Sequence, residues 1–191
     1  TLTIRNKDAR SEDYQELSQT LRPSHADFTT MARYGVRDPR GGGRSSARET
    51  AARVMAGAVA AQILAKAGIH CYAWVHSVGQ ASMDAEAYAL QDSIPYTQEQ
   101  IESSPLRCPL PDIASAMENE INTARVRGDS VGGTVVGWCQ GLPAGLGDPV
   151  YDKLDADLAK AMISINAAKV FELGSGWAAS SGHASDFNDP I

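Results

Sequence analysis

The chain has 191 residues, 43% hydrophobic and 21% charged, a balance that excludes a disordered or fibrous protein and is long enough for one domain with its own core. A net charge of -6 argues against a general nucleic-acid or acidic-membrane surface. Cys71, Cys108 and Cys139 are too widely spaced for a disulfide framework or a zinc pattern, so no metal site and a reducing compartment are expected.

The chain starts at Thr1 rather than Met, which points to a piece of a longer protein, and no signal peptide is legible. Residues 1–21 read as a short strand or loop, then a weak polar helix near Glu12–Thr20. A short helix fits His25–Tyr34. Pro23, Gly35, Pro39 and the run Gly41-Gly42-Gly43 block a longer one.

Ser45 or Ser46 suits a helix N-cap, and Glu49 stands at the capping-box spacing from Ser46. A helix is predicted over 46–67, with Gly68 as its stop. Its second half, VMAGAVAAQILA, is apolar all round, the pattern of a helix buried on every side. The run Val54–Ala65 contains Gln62 and is too short to span a bilayer.

His70–Val78, HCYAWVHSV, has the β-branched and aromatic content of a strand. Residues 80–109 are loop-rich, with a short helix near Thr97–Ser103. An amphipathic helix is predicted over Pro111–Arg127, ending at Gly128, and a strand over Val131–Cys139. The turn GLPAGLGDP leads to a helix over Val150–Ile165, with Asp148 as N-cap and Pro149 in its first position. Tyr151, Leu154, Leu158, Ala161, Met162 and Ile165 would share its apolar face. Lys169–Leu173 reads as a strand, and the Gly/Ser-rich tail, 174–191, as mobile. No repeat and no long linker divides the chain, so a single domain over 1–191 is expected.

Charge is concentrated between Arg22 and Arg53. Arg22, Arg33, Arg37, Arg40, Arg44, Arg48 and Arg53 meet only Asp27, Asp38 and Glu49, so the window carries +4 and the rest of the chain -10. An Arg island without Lys suits a small anion, because the guanidinium fork matches carboxylate and phosphate. RGGGRSSARET puts glycines and hydroxyls at a helix start, where exposed N–H groups and the helix dipole favour phosphate. A Gly-rich loop alone is a weak signal and more often marks a flexible surface loop before a charged helix turn. The segment argues against a P-loop, because no Lys follows the glycines and RDPR, not a strand, precedes them.

His25 lies beside this island, and an imidazole is a natural proton donor near neutral pH. His70 and His76 share a strand face about 20 Å apart, too far for one metal ion, and read as structural. Asp152, Asp155 and Asp157 read as a solvated helix face. His183 lies in the tail without an evident partner.

RPSHADF, YGVRDPRGGGRSSARETAARV and GLPAGLGDPVYDKLDADLAKAMISINAAK resemble the chorismate synthase family in order and spacing, and NKDARSEDY is similar to its segment upstream of the His motif. The resemblance implies an α+β fold, a β-α-β sandwich with central buried helices between antiparallel sheets, present here in part, and a homotetramer at full length. It implies conversion of 5-enolpyruvylshikimate 3-phosphate to chorismate and phosphate, with reduced FMN and NADPH as a candidate reductant. It assigns substrate anions to Arg22 and Arg48, an acid role to His25, and FMN contacts to Arg44, Ser45, Ser46, Asn166 and Ala167. Ser24 stands where the family usually has Gly, Val170 replaces a common Gly, and GSGW replaces GDGF. The family's other active-site histidine, and a further Arg and Asp, belong to segments outside these residues, so the chain alone is expected to be inactive. Localisation would be cytoplasmic, or plastid if a transit peptide precedes the chain. The alternatives are a non-catalytic anion- or flavin-binding module and a nucleotide hydrolase.

Overall fold

The computed structural model describes residues 1–5, 18–39, 46–85 and 93–188. It divides into two compact units, one of residues 1–62 and 147–171, the other of 63–146 and 172–191. Most of the polar helix expected near Glu12–Thr20 lies outside the described residues.

In the first unit, helix α1 spans Asp27–Tyr34 and ends at Gly35, whose φ of 70° lets its N–H turn back to the Met31 carbonyl. A single 3-10 turn, Ala47–Glu49, opens helix α2, Thr50–Lys66, whose residues from Ile63 on are counted with the second unit. Ser46 is the N-cap, its side chain accepting the Arg48 N–H. Glu49 pairs with Arg53 at 3.0 Å, an i,i+4 ion pair.

The expectation that the apolar helix is buried on every side needs correcting. No residue of α2 is buried, and Val54 and Ile63 are 71% and 66% exposed. An all-apolar surface requires partners on all sides, and the described residues do not supply them around α2.

The second unit holds strands β1 (His70–Val78) and β2 (Ala81–Ser82), helices α3 (Gln98–Glu102) and α4 (Pro111–Val126), and strand β3 (Gly133–Gln140). The sheet is antiparallel in the order β2-β1-β3. Tyr72 faces Trp138 and Trp74 faces Val136 across β1 and β3, and all four lie in or against the core. Trp74, Met83, Ile101, Cys108 and Met117 form that core. The Trp74 ring meets Tyr96 edge-on, centroids 5.4 Å apart, a favoured aromatic geometry. The register slips between Val75 and Ser77, so His76 sits in a bulge. Burial there holds the His76 imidazole below its usual pKa. Thr97 closes a capping box with Gln100 at the start of α3.

The end of the first unit departs from expectation. Asp148 and Pro149 do not start a helix. Gly147–Asp148 (β4) pairs with Asp152–Lys153 (β5), and helix α5 runs only over Leu154–Ile163. Gly147 has φ 84°, and a Cβ there would stand 2.6 Å from the Leu154 backbone nitrogen, so the tight entry to α5 excludes a side chain. Lys169–Leu173 forms no strand, having no paired neighbour to satisfy its backbone. Two 3-10 turns, Gly176–Ser180 and Ala184–Phe187, occupy the tail.

Candidate active-site residues

The start of α1 gathers charges that lie apart in sequence. Asp27, the first residue of the helix, is 5% exposed. Arg22 reaches its carboxylate twice, Nε to Oδ2 at 2.9 Å and Nη2 to Oδ1 at 3.1 Å, and the Arg22 backbone N–H donates to Oδ2 at 3.2 Å. His25 Nδ1 lies 3.0 Å from Oδ1. Arg37 Nη1 stands 3.5 Å from the same oxygen. This fork-on-fork arrangement holds the Asp27 carboxyl far below the usual carboxylate range, chiefly through its hydrogen bond from the Arg22 side chain and against the cost of burial.

The chain is bent to allow this. Ser24 has φ 57°, in the left-handed region, which folds Arg22 and His25 back on the helix start. His25 N–H donates to the Arg22 carbonyl at 3.3 Å. Arg37 belongs to the scaffold. Its side chain is 5% exposed, and Nη2 donates to the carbonyls of Ser18 and Thr20 at 3.1 and 2.8 Å. Arg33 instead lies over the exposed Tyr34 ring, 5.5 Å from its centroid.

A second cluster joins the start of α2 to the end of α5. Arg53 Nη1 donates to Ser164 Oγ at 2.6 Å, and Nη2 to the Ser164 carbonyl at 3.1 Å. Asn166 and Ala167 follow two and three residues on, Asn166 half-buried and Ala167 exposed with φ 68°. Ser46 and Arg48 lie in the turn that opens α2. Arg44 and Ser45 lie outside the described residues. The structure thus ties Arg22 to His25 around Asp27, and ties the helix that follows Ser46 and Arg48 to the turn before Asn166 and Ala167. Both clusters belong to the same compact unit.

Asp27 and Arg53 were not singled out from sequence. Asp27 stands five residues after Arg22 and two after His25, the one acid among neighbouring cations, and that spacing was a usable signal. Nothing local forecasts the Arg53 bond to Ser164, 111 residues away. Asp152, Asp155 and Asp157 are solvent-exposed. Among the described residues, no three His, Cys, Asp or Glu side chains are placed to hold a metal ion, and no helix is long and apolar enough to cross a membrane.

A family model described as chorismate synthase matches residues 1–191. The chain belongs to the chorismate synthase family. It is 51% identical to chorismate synthase of Porphyromonas gingivalis, covering 98% of this chain and 50% of that protein. Identity to chorismate synthase of Opitutus terrae is 48%, covering 100% of this chain and 51% of that one, and to that of Methanosarcina mazei 46%, covering 99% and 50%. A solved structure titled "Crystal Structure of Chorismate Synthase" superposes with a TM-score of 0.77 at 34% identity, over 87% of this chain and 52% of that one. The fold is therefore the α+β chorismate synthase fold, present in part, and the chain spans about half the length of the curated relatives it matches.

Proposed function

We propose that the protein carrying this chain is a chorismate synthase, converting 5-enolpyruvylshikimate 3-phosphate to chorismate and phosphate by 1,4-anti elimination. The observation that carries this reading is the Arg22–His25–Asp27 cluster, standing within a chain that matches the family from end to end. The substrate brings two carboxylates and a phosphate, and the +4 Arg window complements them. In this reading Arg22 and Arg48 hold substrate anions. As C3–O cleavage releases phosphate, guanidinium groups offset the charge that develops on the leaving oxygens. His25 acts as the acid beside the reacting centre.

Ser46 and Arg48 stand at the start of α2, and Arg53 holds Ser164, two residues before Asn166; hydroxyl, guanidinium and carboxamide are donor types that suit the phosphate of a flavin mononucleotide. Arg44, Ser45, Ser46, Asn166 and Ala167 would hold reduced FMN. The chemistry that bound reduced FMN supplies is transient electron donation and help in removing the C6 hydrogen. NADPH is the proposed reductant for the flavin, and the full-length protein is proposed to be a homotetramer. The 191 residues alone are proposed to be inactive, because the family's remaining catalytic groups lie in segments outside them.

The test is an anaerobic assay of the intact protein, and of the 191 residues alone, with substrate and chemically reduced FMN. Chorismate and phosphate should appear in equal amounts from the intact protein only. Flavin binding with no turnover by the intact protein would turn the reading into a non-catalytic flavin module.

A further inference from the structure

We propose that Asp27 is a positioning residue that fixes His25 in the Nδ1–H form, so that Nε2 is the nitrogen through which His25 meets substrate or flavin. The inference rests on the reading of His25 as the acid. His25 Nδ1 lies 3.0 Å from Asp27 Oδ1 and 3.2 Å from Arg22 Nη2. A guanidinium can only donate and an ionised carboxylate can only accept. Nδ1 can therefore satisfy one of them and must present a like partner to the other.

Three features decide for Asp27. Its contact is the shorter. The Asp27 carboxyl is held ionised by the Arg22 fork, so an unprotonated Nδ1 would set lone pair against lone pair in a buried place. Arg22 Nη2 already has an acceptor in Asp27 Oδ1 at 3.1 Å and does not need the ring nitrogen. Nδ1 carries the hydrogen, and a neutral His25 then has its lone pair on Nε2. After giving up its Nε2 proton, the ring returns to a single tautomer, aimed by an acid that is itself clamped. Among the described residues, the charged groups facing Asp27 are Arg22, His25 and Arg37. Asp27 thus also orients Arg22, the neighbouring substrate arginine in the proposed reaction.

The test uses the intact protein with 15N-labelled histidine. Long-range 1H–15N correlation spectra at about pH 8 report the tautomer of each ring, and loss of one signal set in His25→Gln assigns His25. The wild type should show His25 with Nδ1 protonated, the reverse of the form that free histidine favours. In Asp27→Ala the Nε2–H form should become the major one. In the anaerobic assay the same variant should lose tenfold or more in kcat, with its flavin Kd within twofold of wild type. A wild-type spectrum with Nε2 protonated overturns the proposal, whether or not the variant folds. So does an unchanged tautomer in a folded Asp27→Ala. If the protein makes no chorismate, the enzymatic reading fails while the spectra still decide the role of Asp27.

Discussion

Arg37 and Arg33 lie in the same cationic stretch and would be equal candidates for anion binding by charge alone. The structure separates them. Replacing Arg37 by Met keeps most of the side-chain volume and removes the donors to the Ser18 and Thr20 carbonyls and the 3.5 Å contact with Asp27. Hydrogen bonds to a charged group contribute about 1.5–3 kcal/mol each when water is excluded. Ser18 and Thr20 are themselves exposed, so water replaces part of what is lost, and Asp27 keeps Arg22 and His25. A net cost of about 2–4 kcal/mol follows for Arg37→Met, within the range for breaking a buried charged network. At about 2–4 °C per kcal/mol for a chain of this size, the melting temperature should fall by about 4–16 °C. Arg33→Met should stay within about 0.5 kcal/mol of wild type, as an exposed substitution does. Thermal unfolding at pH 7, with hydrogen exchange read at residues 18–22, measures both. An Arg37→Met protein that melts with the wild type but has lost substrate affinity would refute the scaffold role and place Arg37 among the ligand-binding arginines.

Arg48→Ala should raise the substrate KM of the intact enzyme about 10–100-fold, the loss of one charged hydrogen bond, while Arg33→Ala leaves it nearly unchanged. Equal effects in steady-state kinetics would show that the wrong arginines have been placed in the site. Ser24→Gly should stabilise by about 0.5–1 kcal/mol, because relief of a left-handed φ exceeds the extra unfolded-state entropy of glycine. A shift of the urea midpoint with unchanged slope would show it. The Asp27 carboxyl has its folded pKa depressed, so its stabilising contribution is complete above the unfolded value of about 3.9 and is lost as pH falls toward the folded value. The stability gap between wild type and Asp27→Asn should therefore be constant from pH 7 to about 5 and narrow below about pH 4 in denaturant titrations. A gap that widens on acidification would reverse the sign assigned to this carboxyl.

The elements most legible in the sequence were those whose local chemistry leaves one choice. His70–Val78 was bounded correctly because its β-branched and aromatic run is flanked by Gly68 and Gly79. Pro111 and Gly128 similarly frame α4. The stretch from Gly147 to Lys153 misled because Asp-Pro serves a helix start and a turn equally well, and pairing of β4 with β5 was the deciding factor. Lys169–Leu173 has strand propensity but no strand beside it. The site was legible in residue type and only partly in arrangement. Arg22 and His25 could be named and Asp27 stood at a usable spacing from both, but that its carboxylate joins them is a packing fact. The Arg37 bonds to residues 18 and 20 depend on a turn of chain that no short motif encodes.

Helix α2 carries a consequence for how these residues behave in a cell or a test tube. With Val54, Val59, Ile63 and Leu64 turned to water, the 191 residues alone would present to chaperones and proteases the same signal as an unfinished protein. Their solubility should fall steeply with concentration, and they should light up a dye such as ANS even while the sheet beneath Trp74 stays folded. Fluorescence titrated against protein concentration would then separate exposed native surface from true unfolding.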